Sequence, residues 1–459
     1  MENKVHCLVL SFPAQGHINP MLQFSKLLQQ EGIIVTLVTT LFFGKKLHNL
    51  PPSVTLETIS DGFDIGGIGE AKSFKQYLDH FAQVGPQNLE KLIDKLGRTS
   101  YPIDCVIYDA FFPWTLDVAK RLGIFGVSFL TQNVSVNSIY YHVLVGKLRV
   151  PLDVQEISLP VLPQLQHRDM PSFVLTYEKD PTFLELAVGQ FSNICKADWI
   201  LCNSFHELHQ EGADWSMKIW PNFRTIGPSI PSKFLDKRIK NDEDYGATQF
   251  QSEEECMEWL NDKPKGSVVY ASFGSLASLN EEQLEEVACA LTDCESYFLW
   301  VVKPSEEPKL RKDFEKKTQK GFVVTWCSQL KVLAHESIGC FVTHCGWNST
   351  LEAISLGVPI VAMPQWSDQS TNAKFIEDVW KIGIRVPIDE KQIVRRDEMK
   401  KCILEIMDSE KGRTIKSNAM KLKDLASNAV GVGGSTHQNI TEFVNSLFHF
   451  ASYKQTITN

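Results

Sequence analysis

The sequence lacks the features that mark a disulfide-rich, zinc-binding or membrane-spanning protein. None of its 11 cysteines forms a CxxC pair, so neither a disulfide framework nor a zinc ribbon is indicated. No uninterrupted apolar stretch reaches the roughly 18 residues that a membrane helix needs, and no small-residue cleavage site follows the apolar run near the start. We therefore expect reduced thiols, no membrane span and a cytoplasmic location.

An excess of positive charge is also absent. Lys and Arg number 46 against 55 Asp and Glu, which gives a formal net charge of −9. Such a surface has no general attraction for nucleic acids or anionic membranes, so neither is expected as a partner. With 43% apolar and 22% charged residues in a chain of 459, the composition is that of a globular protein of two or three domains.

Short runs of Val, Ile and Leu alternate with longer amphipathic stretches, and this rhythm occurs twice. The pattern is typical of βαβ units with a parallel sheet that is buried on both faces. We predict an α/β protein with two Rossmann-like domains that face each other across a cleft. The predicted strands are 5–12, 33–40, 54–60, 105–109 and 126–130 in the first half, and 268–273, 297–302, 322–326, 340–344 and 358–363 in the second.

Two ionisable residues follow strands of the first half. His17 comes after the first strand, in PAQGHINPML, where Asn19 is predicted to cap a helix that Pro20 opens. Asp109 ends the strand CVIYD. Because neighbouring parallel strands end at the same edge of a sheet, this carboxylate could orient the imidazole and make it a stronger base. The alternatives are a solvated or structural histidine and an aspartate that caps the next turn.

The densest signal lies in residues 326–369. In their centre VTH ends a strand, CGW turns and NSTLE begins a helix, whose N-terminal N–H groups and dipole favour a phosphate. Asn348 and Ser349 are also interpreted as helix caps, with Glu352 completing a capping box. Further polar and aromatic residues gather where strands end and helices begin, namely His344, Trp347, Asp368 and Gln369. Caps alone do not explain this concentration, which indicates a site for a sugar nucleotide.

Residues 326–369 closely resemble the signature box of plant UDP-dependent glycosyltransferases. The resemblance covers nearly the whole chain, from FPAQGHINPM through YDAFFPWTLDVA and YASFGS to GVGGSTHQNI. It implies the two-domain GT-B fold, with an acceptor-binding domain at 1–240 that includes a linker from about 228. It further implies a UDP-sugar-binding domain at 241–440 and a final helix, 441–459, that packs back on the first domain. We expect a monomer.

The resemblance also implies roles by position. His17 matches the catalytic base, and Asp109 matches its partner. The donor-binding positions are Trp326 and Cys327 for uracil, Gln329 and Glu352 for the ribose, Ser275, His344, Asn348 and Ser349 for the diphosphate, and Thr131, Trp347, Asp368 and Gln369 for the hexose. A glutamine at the end of the box is usually associated with glucose, so glucose is the expected sugar.

The implied reaction is a single displacement. His17 removes the acceptor proton, and the acceptor oxygen attacks the anomeric carbon opposite the nucleotide, so that an α-linked donor gives a β-glucoside. UDP-glucose is the donor substrate, and no further cofactor and no metal are expected. The run Asp242-Glu243-Asp244 is a DxD pattern that metal-dependent sugar transferases of another fold use. Because it lies in the charged segment 228–255 with no strand before it, we interpret it as a solvated acidic run.

The sequence is compatible with several classes of acceptor. The predicted acceptor loops, 61–81, 111–114, 135–141 and 171–183, are rich in aromatic residues. They suit a small lipophilic phenolic, terpenoid or steroid, with either a hydroxyl or a carboxyl as the accepting group. The alternatives are a different UDP-sugar donor, a non-catalytic sugar-nucleotide-binding protein and a sugar-nucleotide epimerase. A dinucleotide oxidoreductase would need a GxGxxG after a strand, and the sequence has none.

Overall fold

The computed structural model describes residues 4–48, 50–246, 255–310 and 320–458. The strands are β1 (His6–Leu10), β2 (Ile34–Thr40), β3 (Thr55–Ile59), β4 (Cys105–Asp109), β5 (Phe125–Leu130), β6 (Glu156–Ile157), β7 (Leu165–Gln166), β8 (Trp199–Cys202), β9 (Phe223–Thr225), β10 (Val268–Ser272), β11 (Tyr297–Val301), β12 (Gly321–Val324), β13 (Ile338–Thr343), β14 (Ile360–Ala362) and β15 (Gly383–Arg385).

The α-helices of this part of the chain are α1 (Gln15–Gln30), α2 (Leu41–Lys46), α3 (Phe74–Gly97), α4 (Trp114–Arg121), α5 (Val134–Leu144), α6 (Ser172–Leu175), α7 (Thr182–Gly189), α8 (Gln210–Ile219), α9 (Glu255–Asn261), α10 (Glu281–Asp293), α11 (Gln329–Leu333), α12 (Trp347–Leu356), α13 (Gln369–Lys374), α14 (Arg396–Asp408), α15 (Glu410–Val430) and α16 (Ser435–Thr458). Among these described helices, none has the length and apolar character that crossing a bilayer requires.

Two parallel sheets organise these elements. The first has the strand order β3-β2-β1-β4-β5-β8-β9, and the second has the order β12-β11-β10-β13-β14-β15. In both, the order reverses beside the first strand in sequence, which creates a switch point between β1 and β4 and another between β10 and β13. Ligands of doubly wound sheets bind at the carboxyl ends of the strands at such points. The predicted α/β fold with two Rossmann-like domains is confirmed.

Each predicted strand is present, with small differences at its ends, whereas three further strands of the two sheets were not predicted. These are β8, β9 and β15, with the sequences WILC, FRT and GIR. They are too short for a periodic pattern to separate them from loop.

Both faces of each sheet are covered, as the apolar strands require. On β1, Cys7 and Val9 belong to one apolar core and Leu8 belongs to the core on the opposite face. Phe443 and Leu447 of α16 complete the first of these cores. Neither face is left for solvent, so that even the polar side chains of Thr36 in β2 and Ser128 in β5 are buried.

The last helix reaches the first domain from its first turn onward. It begins at Ser435, earlier than the predicted start at 441. Thr436 donates its hydroxyl hydrogen to Gly227 O at 2.6 Å, and Asn439 Nδ2 donates to Thr225 O at 2.8 Å. These contacts explain the early start, because the turn is already fixed by side chains that bind the end of β9 and the residues after it.

The acidic run of the linker differs from the expectation. Asp242 is only 4% exposed, and its Oδ1 lies 2.8 Å from Lys26 Nζ on α1. The interpretation as a solvated run is therefore wrong for Asp242, although Glu243 is exposed. The sequence could not show this, because the cationic partner lies far away in the chain. Of the predicted linker, residues 247–254 lie outside the described residues.

Candidate active site

His17 lies in the first turn of α1, directly after β1. The helix begins at Gln15, so the prediction that Asn19 caps it and Pro20 opens it is wrong, and both residues lie inside the helix. The early start places His17 at the switch point of the first sheet. There its Nδ1 lies 2.6 Å from Oδ2 of Asp109, which ends β4 and is 1% exposed.

The contact with Asp109 fixes the proton on His17. A carboxylate only accepts, so Nδ1 carries the hydrogen and Nε2 is the basic nitrogen. The other oxygen of Asp109 accepts from the backbone N–H of Phe111 at 3.1 Å, so the aspartate also caps the next turn. Thr131 Oγ1 lies 3.3 Å from Nδ1, and the rings of Phe12 and Phe111 lie 5.1 Å from the imidazole. The geometry is that of a base oriented by a carboxylate in apolar surroundings.

Pro20 explains a contact between the two domains. Because proline has no backbone N–H, the carbonyl of Gly16, four residues earlier, lacks its usual partner within the helix. Asn348 Nδ2 of α12 donates to this carbonyl at 2.7 Å. A proline inside α1 thus leaves an acceptor that joins the second domain to the residue beside His17.

The switch point of the second sheet holds His344, which follows β13. A Cβ added at Gly274 or Gly346 would lie 2.6 or 2.5 Å from His344 Nε2, so only glycine allows the ring to lie there. Burial and the charge of Lys303 lower the pKa of His344 to about 4. The imidazole is therefore neutral near pH 7. Ser275, after β10, is exposed in the adjoining loop.

The start of α12 differs from the predicted caps. Gly346 is the N-cap, so Asn348 and Ser349 lie in the first turn, and Ser349 and Glu352 form no capping box. The N–H groups of this turn lack partners within the helix, and the dipole adds partial positive charge. This end of α12 suits an anion such as a diphosphate.

Glu352 is the centre of a hydrogen-bond network. It is 4% exposed, and this burial raises its pKa to about 7. Gln329 Nε2 donates to its Oε2 at 2.7 Å and to Ser349 Oγ at 2.9 Å. Tyr245 donates its hydroxyl hydrogen to Oε1 at 2.9 Å, and Tyr270 donates to Gln329 Oε1 at 3.3 Å. Gln329 is thus engaged mainly with protein groups, which leaves Glu352 as the principal acceptor for a ligand here.

Trp326 and Cys327 join β12 to α11 at the same edge of the second sheet. The sulfur of Cys327 lies 3.5 Å from the Tyr270 hydroxyl and is buried. The thiol of Cys327 is therefore directed at a protein group. Trp326 is partly buried.

Asp368 belongs to a second buried network, which crosses between the domains. Its burial raises its pKa to about 6. Asn372 Nδ2 donates to Asp368 Oδ2 at 2.8 Å and to Cys345 O at 2.9 Å. Asn133, at the start of α5, donates from Nδ2 to Asn372 Oδ1 at 3.0 Å. Since both amides are fully buried, this chain of bonds holds the Asp368 carboxylate in one position.

Two further predicted hexose positions have their side chains engaged by protein. Gln369 Oε1 accepts from the backbone N–H groups of Gln365 at 2.9 Å and Trp366 at 3.0 Å, which directs its amide nitrogen away from that loop. The Trp347 side chain is buried, and its indole N–H donates to Asn203 O at 2.7 Å. Trp347 therefore offers a ligand its backbone rather than its ring.

Aromatic rings from the predicted acceptor loops lie together. The Phe74 and Phe183 rings stack with centroids 4.9 Å apart, and Phe173 stacks on Phe183 at 5.0 Å. Trp366 of the second domain meets Phe173 at 5.7 Å and Phe183 at 5.8 Å. These four rings, which we call the aromatic wall, form an apolar surface that both domains share.

Four residues of these networks were not predicted from the sequence. They are Asn133, Tyr245, Tyr270 and Asn372. Asn372 could have been found, because it lies four residues after Asp368 and so on the same helix face. Tyr245 gave no signal, since it lies in a segment without periodicity.

Comparison with known proteins gives full-length matches. A family model described as UDP-glucoronosyl and UDP-glucosyl transferase matches residues 239–429. The chain is 46% identical over 451 residues to mogroside I-E synthase of Siraitia grosvenorii, covering 97% of this chain and 99% of that protein. It is 43% identical over 448 residues to flavonol 7-O-beta-glucosyltransferase UGT74F1 of Arabidopsis thaliana, covering 96% and 98%. The crystal structure of Os79 from O. sativa in complex with UDP aligns with a TM-score of 0.90 at 37% identity, covering 96% of this chain and 100% of that one.

Proposed function

Since the chain belongs to the family of UDP-dependent glycosyltransferases, we propose that it transfers glucose from UDP-glucose to a hydroxyl or carboxyl group of a small lipophilic acceptor. The transfer inverts the anomeric carbon and uses no metal. The observation that carries this proposal is the 2.6 Å bond between His17 and Asp109 at one switch point, with an anion-binding helix start at the other.

His17 acts as the general base. Its Nε2 takes the proton of an acceptor hydroxyl, and Asp109 stabilises the imidazolium that forms. A carboxylate acceptor is already ionised near neutral pH, so its transfer depends less on His17. One attack on the anomeric carbon inverts its configuration and gives a β-glucoside from an α-linked donor.

The second domain stabilises the leaving diphosphate. Negative charge develops on the nucleotide as its bond to the sugar breaks. We assign that charge to neutral His344, to the N–H groups of the first turn of α12 and to the positive end of its dipole. Ser275, Asn348 and Ser349 are assigned to the same diphosphate.

The remaining roles follow the division between the domains. We assign the acceptor to residues 1–240 and the donor to 241–440. The name of the Arabidopsis relative, a flavonol 7-O-beta-glucosyltransferase, supports glucose as the sugar. The UDP bound in Os79 supports the nucleotide. The aromatic wall supports a lipophilic acceptor. The uracil is assigned to Trp326 and Cys327, the ribose to Glu352 with Gln329, and the hexose to Asp368, Gln369, Thr131 and the Trp347 backbone.

A mass-spectrometric screen tests the proposal. Purified protein is incubated with UDP-glucose, and separately with other UDP-sugars, and with pooled phenolic, terpenoid, steroid and carboxylic acceptors. The His17→Ala variant and the control His449→Ala, at an exposed position of α16, are treated in the same way. We expect products with one added hexose from the wild type and the control. Products only with another UDP-sugar would replace glucose as the donor. Binding of UDP-glucose without product from any acceptor would favour a non-catalytic binding protein.

A further inference from the structure

One residue of the linker reaches into the second domain. Tyr245 is partly buried, and its hydroxyl donates to Glu352 Oε1 at 2.9 Å. Glu352 is the carboxylate that the proposed function assigns to the ribose. A segment that connects the domains thus contributes a side chain to the donor site.

The linker is fastened just before this tyrosine. Asp242 Oδ2 accepts from Gln23 Nε2 at 2.7 Å and from the backbone N–H of Ser232 at 2.6 Å, and its Oδ1 pairs with Lys26. Lys26 Nζ also donates to Asp244 O at 2.8 Å. Gln23 and Lys26 lie on α1, the helix that carries His17. The position of Tyr245 is therefore set by the first domain, although its hydroxyl acts in the second.

The donors around Glu352 leave room for a diol. A carboxylate has about four sites that accept hydrogen bonds, two on each oxygen. Tyr245 occupies one site on Oε1, and Gln329 occupies one on Oε2. One site stays on each oxygen, which matches the two adjacent hydroxyls of a ribose. With each oxygen held by one protein donor, the carboxylate cannot rotate away from that diol.

Resting on the proposed function, we infer that Tyr245 is a positioning residue of the donor site, whose hydroxyl holds the Glu352 carboxylate in the orientation that accepts both ribose hydroxyls. The opposite arrangement is a tyrosine that occupies the ribose position and has to be displaced by the nucleotide. The two arrangements predict opposite effects when the hydroxyl is removed.

Calorimetry with UDP and 2′-deoxy-UDP distinguishes them. The variant is Tyr245→Phe, which keeps the ring, and the matched control is Tyr453→Phe at an exposed position of α16. We expect Tyr245→Phe to bind UDP about tenfold more weakly, because a hydrogen bond to a charged group is lost. We expect a smaller loss of affinity for 2′-deoxy-UDP, so that the ratio of the affinities for UDP and 2′-deoxy-UDP becomes smaller in the variant. The KM for UDP-glucose rises while kcat at saturating donor is kept.

A double-mutant cycle shows whether Tyr245 acts through Glu352. In a Glu352→Ala background, Tyr245→Phe should cause no further loss of UDP affinity. Equal or tighter UDP binding by Tyr245→Phe, or losses that add in the double variant, would overturn the inference and leave the proposed function intact. A wild type that binds neither UDP nor UDP-glucose would overturn both.

Discussion

The two sides of the cleft use buried polar groups in different ways. In the first domain, catalysis is assigned to a single imidazole that one carboxylate orients among aromatic rings. In the second domain, the Glu352 carboxylate accepts from Gln329 and from Tyr245 of the linker. The Asp368 carboxylate accepts from Asn372, whose amide oxygen in turn accepts from Asn133 of the first domain. Loss of one group should therefore abolish a step on the first side, whereas on the second side it should shift affinity by graded amounts.

The largest effect is expected for His17→Ala. A positioned general base contributes about 10²–10⁴-fold to rate, so kcat/KM for a phenolic hydroxyl should fall by about that factor. Affinity for UDP-glucose should stay the same, because no donor contact is assigned to His17. Steady-state kinetics and calorimetry measure both quantities, and carboxylic acceptors should lose much less rate. An equal loss of donor affinity would show that the two sides are not separable in this way.

Trp326→Ala should affect the donor side alone. Stacking of a base on an aromatic ring is worth about 1–3 kcal/mol, so UDP should bind about fivefold to 150-fold more weakly. The kcat at saturating donor should change little, since the base and its partner are untouched. Trp326→Phe keeps an aromatic face and should recover most of the affinity in the same titration. Unchanged UDP affinity in the alanine variant would remove the stacking assignment.

The raised pKa of Glu352, about 7, gives the donor side its own pH dependence. As pH falls through 7 the carboxylate becomes protonated and loses acceptor capacity for the ribose, so affinity for UDP-glucose should fall. Between pH 8 and 6.5 we expect a loss of about fourfold. UDP-glucose is the suitable probe because its diphosphate is a diester that does not titrate in this range.

The matched variant is Glu352→Gln, which should bind UDP-glucose more weakly and with an affinity that changes less between pH 8 and 6.5.

The free energy of unfolding depends on pH in the opposite direction to donor affinity. Between the ordinary pKa of 4.5 and about 7, the folded chain keeps a proton on Glu352 that the unfolded chain has released. Raising the pH through this window therefore lowers the free energy of unfolding of the unliganded protein through this group. A wild-type affinity that does not change between pH 8 and 6.5 would contradict the role given to Glu352.

The sequence was sufficient where local pattern decides structure. Buried runs such as CVIYD predicted the central strands, and the positions of His17 and Asp109 at strand ends predicted that they would meet. It was not sufficient where long-range partners decide. Asp242 pairs with Lys26 of α1, and Tyr245, three residues later, donates its hydroxyl hydrogen to Glu352.

The first residues of two helices were also not predicted correctly from the sequence. In α1 and α12, Asn19 and Ser349 have the chemistry of caps but lie inside the helices, since each helix begins earlier. Asn19 Oδ1 instead accepts from Gln15 Nε2, and Ser349 Oγ accepts from Gln329 Nε2. Capping chemistry identified the correct region but not the first residue of each helix, because neither N-cap residue caps through its side chain.

The smallest effect is expected for Gln369→Ala, which tests whether a single neutral hydrogen bond on the donor side changes kcat/KM by a measurable amount. The backbone N–H groups of Gln365 and Trp366 bind Gln369 Oε1, so the proposed function assigns the Gln369 amide nitrogen to a sugar hydroxyl. Loss of one such neutral bond is worth about 0.5–1.5 kcal/mol, and kcat/KM for UDP-glucose should fall about threefold relative to UDP-galactose. Gln365→Ala is the control, because its side chain donates to Met363 O and Pro364 O while only its backbone N–H serves Gln369. A loss of UDP affinity in Gln369→Ala, or an equal loss of kcat/KM with both UDP-sugars, would mean that this residue supports the loop and does not distinguish between hexoses.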